Sequence, residues 1–147
     1  MTLITHKRAR FDFEILDTLE AGLELLGTEV KSLRKGQGKL EGAHVVIRGG
    51  EAFLVGAHIP PFQAKNVGGD YDPERSRRLL VTRDQIAELS QKSDQQGLTI
   101  VPLSVYNKGR NLKLSIAIAR GKKKYDKREA LKERDTKRSI ERRLKGE

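Results

Sequence analysis

The chain has 147 residues, with 30 Lys and Arg against 20 Asp and Glu, three His and no cysteine, a formal net charge of +10. Without cysteine it can form neither a disulfide framework nor a cysteine-based zinc site. No apolar run approaches membrane-spanning length, and the start, MTLITHKRARFDFEI, lacks the apolar core of a signal peptide. This basic excess points to a polyanion, nucleic acid ahead of an anionic membrane.

Residues 1–120 read as one domain and residues 121–147 as a basic extension. Lys7, Arg8 and Arg10 form a basic arm, KRAR. A long alternation follows, with Phe11, Phe13, Ile15, Leu19, Ala21, Leu23 and Leu25 on one parity and Asp12, Glu14, Glu20 and Glu24 on the other. The pattern predicts a half-buried strand, bent near Asp17 and Thr18 or at Gly22. Residues 27–34 predict a short helix with Thr28 at its N-cap, Val30 and Leu33 inward, and Lys31, Arg34 and Lys35 exposed. Two strands, at 43–48 and 51–59, flank Gly49-Gly50 and predict a tight hairpin. The second would bury Phe53, Val55, Ala57 and Ile59.

Residues 60–78 are loop-rich and end in a basic cluster, Arg75, Arg77 and Arg78. Leu79, Leu80 and Val81 return the chain to the core. Residues 82–96 predict a helix opened by a Thr82–Gln85 capping box and closed by Gly97. Residues 98–106 predict a strand in which Pro102 marks an edge or a bulge. After a turn at 107–111, Leu112, Leu114, Ile116 and Ile118 alternate with Lys113, Ser115 and Ala117. Lys113 therefore belongs on the outer face, as does Glu20 on its own strand. Short strands, turns and a late helix predict a mostly β protein, an OB-like closed barrel with short flanking helices.

The extension holds 12 Lys and Arg against 6 Asp and Glu. Ala130, Leu131, Ile140 and Leu144 cannot bury enough surface to offset its ordering entropy. Its composition nonetheless favours helix. It is expected to be disordered when free and helical on a polyanion, and it lacks the broad apolar face of a membrane-surface helix. No nucleotide-binding glycine motif occurs, His6, His44 and His58 have no zinc spacing, and no nucleophile or carboxylate pair stands out. The expectation is a protein with no catalytic residues, metal or cofactor. With 5% aromatic residues, a stacking platform for single strands is poorly supplied, which favours backbone and shape recognition of folded RNA.

These segments give the chain a resemblance to the bacterial SsrA-binding protein family, small protein B, over nearly its whole length. The matching motifs are KRAR at 7–10, EAG at 20–22, GTEVKSLR at 27–34 and IRGGEAFL at 47–54. DPERSRRLL at 72–80 and GKKKYDKRE at 121–129 complete the set. The resemblance implies an OB-like barrel that binds the tRNA-like domain of transfer-messenger RNA. With elongation factor Tu on the same RNA, such a protein brings it to stalled ribosomes for trans-translation, as a cytoplasmic monomer with no membrane partner.

The RNA-binding residues it implies are Lys7, Arg8, Arg10, Glu20, Lys31, Arg34, Leu80 and Lys113. A ribosome-binding tail would comprise Lys122, Lys123, Lys124, Tyr125, Asp126, Lys127, Arg128, Lys132, Arg134, Lys137 and Arg138. Tyr125 would stack on a base in the decoding centre, and the residues from about Ala130 would enter the mRNA channel as a helix. Phe11 and Tyr125 stand where many members have His. The competing expectation is a basic protein bound constitutively to ribosomal RNA.

Overall fold

A computed structural model describes residues 2–62, 71–95 and 97–122. Its hub is the strand predicted after the last turn, β7 (Asn111–Gly121). β7 pairs antiparallel with β6 (Leu98–Lys108) on one side and with β2 (Phe13–Leu23) on the other. Its even residues Leu112, Leu114, Ile116 and Ile118 enter the main core. Its odd residues Ala117 and Ala119 join Val101 in a second apolar cluster on the opposite face.

Outward from this centre lie β1 (Thr2–Thr5), β3 (His44–Arg48), β4 (Glu51–Val55) and β5 (Arg77–Leu80). The seven strands form one antiparallel sheet in the order β1-β6-β7-β2-β5-β4-β3. Among the described residues three short helices accompany it: α1 (Ala9–Asp12), α2 (Gly27–Arg34) and α3 (Arg83–Ser93). The mostly β expectation with short helices holds. Among the described residues no ladder joins β1 to β3, so the hydrogen-bonded sheet is open at that seam.

Several local expectations hold for local reasons. Gly49 and Gly50 both take positive φ, 57° and 76°, as a two-residue hairpin turn requires. The Thr82 hydroxyl accepts from Gln85 N–H (3.2 Å), and the Gln85 side chain accepts from Thr82 N–H (2.9 Å). That helix ends at Ser93, slightly before the expected 96. The pairing of β6 with β7 shifts register between Pro102 and Ser104, the expected bulge.

Four expectations are corrected. Phe11 and Asp12 belong to a helical turn, with Phe11 and Asp12 N–H both donating to Arg8 O (3.0 and 2.9 Å). A four-residue helix is too short to leave a periodic signature. The long strand is not of one parity either. A register shift between Ile15 and Asp17 inserts one residue, which exchanges the faces. Phe13 and Ile15 therefore pack on the second cluster, while Leu19, Ala21 and Leu23 face the main core.

In β4 the buried residues are Ala52 and Leu54, not Phe53 and Val55. Gly56, at φ 82°, breaks the alternation, after which Ala57 and Ile59 point inward. Finally, α2 begins before Thr28, with Leu26 as its N-cap residue. The Glu29 carboxylate accepts from Leu26 N–H at 2.8 Å, and the Thr28 hydroxyl accepts from Phe62 N–H at 3.0 Å.

The basic cluster of Arg75, Arg77 and Arg78 is split by burial. Arg77 and Glu29 are both fully buried, and Arg75 is partly buried beside them. Arg75 Nη2 donates to Glu29 Oε1 at 2.5 Å, and Arg77 Nε donates to Oε2 at 2.8 Å. Arg77 also donates to the carbonyls of Ala57 and Pro73, both at 2.8 Å. The Tyr71 hydroxyl lies 3.1 Å from Glu29 Oε2 and donates to Ile59 O at 2.8 Å. Burial by itself raises the Glu29 pKa, but Arg75, the Leu26 N–H and Arg77 outweigh it and hold the carboxyl below its usual value. This network ties α2 to the segment leading into β5. It fixes where Arg78, Leu79 and Leu80 emerge.

Candidate nucleic-acid interface

Strand alternation builds the outer face of the sheet. Glu20 lies opposite Ser115 and Gly22 opposite Lys113 in the β2–β7 ladder, while Tyr106 lies opposite Lys113 in the β6–β7 ladder. The same strands send Ala21 and Leu114 into the core, so Glu20, Tyr106 and Lys113 share the other face. β5 contributes Leu80, paired with Gly22. Leu79 is 2% exposed and Leu80 is 50% exposed. Leu80, which the pattern returns to the core and the resemblance places among the RNA contacts, is therefore not a core residue: adjacent strand residues point to opposite faces.

Leu80 forms a ridge between two grooves. One, of about 660 Å³, is lined by Glu20, Gly22, Leu80 and Lys113 together with Arg83 and Gln85 at the start of α3. The other, of about 370 Å³, is lined by Gly22, Leu80 and Lys113 with Arg34, Arg110 and Asn111. Arg34 is held there by its Nη2, which donates to Arg110 O at 3.0 Å. A Cβ built on Gly22 would stand 3.0 Å from Leu80 Cβ. The glycine is what lets the leucine lie flat across the sheet.

Four expected RNA contacts thus meet on this surface: Glu20, Arg34, Leu80 and Lys113. Lys31 is exposed on α2 but does not line either groove. The basic arm is elsewhere. Lys7 lines a separate groove of about 680 Å³ between β1 and residues 36–41. The Arg8 guanidinium lies 4.8 Å from the Phe11 ring centroid and 3.8 Å from Asp12. The Arg10 carbonyl accepts from Lys122 Nζ at 3.0 Å, and Lys122 N–H donates to Asp12 O at 2.8 Å. The start of the extension is therefore fastened to α1, and β7 runs through Gly121. The other expected tail residues, Lys123, Lys124, Tyr125, Asp126, Lys127, Arg128, Lys132, Arg134, Lys137 and Arg138, lie outside the described residues.

Two residues of the face were missed by sequence reading. The Tyr106 hydroxyl donates to Glu20 Oε2, and Lys108 Nζ donates to Glu20 Oε1 at 3.0 Å. The Tyr106 hydrogen bond, then Lys108, draw the Glu20 carboxyl below its usual pKa. Burial and the same hydrogen bond push Tyr106 up to about 12. The Tyr106–Lys113 pairing was available from the two-residue turn at Gly109 and Arg110. The approach of Glu20 was not, because it depends on β2 choosing β7 as its neighbour.

Open grooves edged by lysine, arginine and two partnered carboxylates, Glu20 held by Tyr106 and Lys108 and Glu51 paired with Arg78, suit an extended, polar, anionic partner rather than an enclosed small molecule. No group of three or more potential metal ligands occurs among the described residues, and no described helix is long and apolar enough to cross a membrane.

The chain belongs to the SmpB family: the family model described as SmpB protein matches residues 3–146. Similar curated proteins include the SsrA-binding protein of Thermosynechococcus vestitus, 48% identical over 97% of this chain and 94% of that one. The SsrA-binding protein of Gloeothece citriformis is 49% identical over 97% and 93%. A solved chain described as "tmRNA-SmpB: a journey to the center of the bacterial ribosome" superposes with a TM-score of 0.71. It is 39% identical, covering 89% of this chain and 95% of that chain.

Proposed function

We propose that this protein binds the tRNA-like domain of transfer-messenger RNA on the outer face of its sheet. With elongation factor Tu on the same RNA, it delivers that RNA to stalled bacterial ribosomes for trans-translation. It acts as a cytoplasmic RNA-binding monomer, not as an enzyme. The observation that carries this reading is the meeting of Glu20, Leu80 and Lys113, from three different strands, at one groove. Membership of the SmpB family, and relatives described as SsrA-binding proteins, give the RNA its identity. The sheet acts as an OB-like barrel. Lys113 neutralises a phosphate, and Glu20 accepts from a base or a ribose hydroxyl. Residues 121–147 serve the ribosome, at the decoding centre and in the vacant mRNA channel.

The test is binding of the full chain to the tRNA-like domain across a salt series. Lys113→Ala is expected to weaken binding and reduce the salt slope by about one ion. An unchanged affinity and slope would remove Lys113 from the site. RNA recovered with the protein from cells is expected to be enriched in transfer-messenger RNA. Ribosomal RNA in proportion to all ribosomes would favour a constitutive ribosome-bound protein instead.

A further inference from the structure

A carboxylate on a face that receives RNA repels phosphate, so its presence needs a physical reason. Glu20 is not a loose surface acid. Its two oxygens are held separately, Oε2 by the Tyr106 hydroxyl and Oε1 by Lys108 Nζ at 3.0 Å. Both partners come from β6, across β7 from the strand that carries Glu20. A carboxylate offers about four acceptor sites. The two partners occupy one on each oxygen, and a side chain 37% exposed leaves the others toward the groove. The carboxylate plane is therefore set before any partner arrives.

Resting on the reading that Glu20 contacts RNA, we infer that Tyr106 and Lys108 are positioning residues. They orient the Glu20 carboxylate to accept from hydrogen-bond donors of the RNA, on a base edge or a ribose hydroxyl. Lys108 also offsets the local negative charge, and Lys113, opposite Gly22 on the same face, remains for the phosphate. The division has a consequence. Glu20 selects for donors and against a phosphate at its own position, so the face fixes the register of the RNA as well as holding it. Tyrosine suits the task because its ring is stiff and its hydroxyl donates with its proton retained to about pH 12.

The experiment measures binding of the full chain to a labelled tRNA-like domain. Variants are Glu20→Gln, Tyr106→Phe, Lys108→Met, Lys108→Arg and the double variant Glu20→Gln with Tyr106→Phe. Tyr106→Phe and Lys108→Met are each expected to lower affinity about tenfold, as for loss of a hydrogen bond to a charged group. Lys108→Arg, which keeps the cation, is expected to bind within about twofold of wild type. In the Glu20→Gln background, Tyr106→Phe is expected to cause little further loss, since the group it orients is gone. A merely structural tyrosine would lower affinity equally in both backgrounds, and that additivity would overturn the inference. So would wild-type affinity in both Tyr106→Phe and Lys108→Met while Glu20→Gln is impaired. Wild-type affinity in Glu20→Gln would overturn the reading of Glu20 itself, and the inference with it. Lys108 is exposed, so its variants decide the matter even if Tyr106→Phe folds poorly.

Discussion

The molecule builds the same set of groups twice, a glutamate, a tyrosine hydroxyl and basic side chains, and puts them to different uses. Around Glu29, every group is drawn inward. Arg75 and Arg77 grip both carboxylate oxygens, Leu26 N–H caps one of them, and Tyr71 closes the edge. Among the described residues no buried side-chain polar atom lacks a partner. Around Glu20, Tyr106 and Lys108 take only part of the accepting capacity, and the rest opens on a groove. Burial is the variable that separates them. A buried carboxylate must be fully answered, and the planar arginine fork does this bidentately, whereas an exposed one can be answered by a lysine and left available. One residue type is thus a buried clamp in one place and, in the role proposed for Glu20, a reader in another.

The comparison breaks most severely at Glu29. Glu29→Ala leaves Arg77 buried without its counter-ion and is expected to destabilise the fold by about 3–5 kcal/mol. Urea unfolding measures it. The pH dependence has a definite sign. The folded-state pKa of Glu29 lies below its ordinary value of 4.5. Its contribution is therefore present above that value and is lost as pH falls through the lower, folded one. Melting temperature is expected to hold from neutral pH to about the ordinary carboxylate range and to drop below it. In Glu29→Gln, if folded, that acid drop should be shallower; an identical slope would mean other carboxylates govern it.

A smaller effect is expected at Gly22. The added methyl of Gly22→Ala meets Leu80 Cβ at 3.0 Å and displaces the leucine by a few tenths of an ångström. RNA binding should weaken about fivefold, roughly 1 kcal/mol, with the fold intact by circular dichroism. Wild-type binding would show that the seat of Leu80 does not matter. The smallest effect is expected one residue from the buried arginine. Arg78 approaches Glu24 and Glu51 at 3.4 Å each, with all three side chains substantially exposed. Arg78→Ala should alter stability by about 0–1 kcal/mol. A loss comparable to that of Glu29→Ala would erase the distinction between clamp and surface.

The chain itself announces much of the local structure. The Gly49-Gly50 hairpin, the Thr82 cap, the Pro102 bulge and the even-numbered core residues of β7 all depend on neighbours a few positions away. Their turn and cap chemistry is legible without a fold. The outward directions of Glu20 and Lys113 were legible for the same reason, since alternation needs only the strand. Where an inserted residue exchanges faces between Ile15 and Asp17, and where the positive φ of Gly56 breaks the alternation after β4, the pattern misleads. Phe53 and Val55 were assigned inward on a parity that nothing local could correct.

Composition, strand alternation, turn chemistry and family motifs were determined by the sequence alone, as was the basic character that points to RNA. The pairings that give individual charged residues their roles were decided by the tertiary structure. DPERSRRLL reads as a basic cluster with nothing to separate its arginines, yet Arg77 is buried in an ion pair with Glu29, 48 positions away. Tyr106 reads as a strand residue, yet it orients Glu20 from 86 positions away. Whether a charge is a surface contact, a clamp or a reader depends on which strands become neighbours and how much water they exclude. Those are properties of the tertiary packing and not of any local stretch of chain.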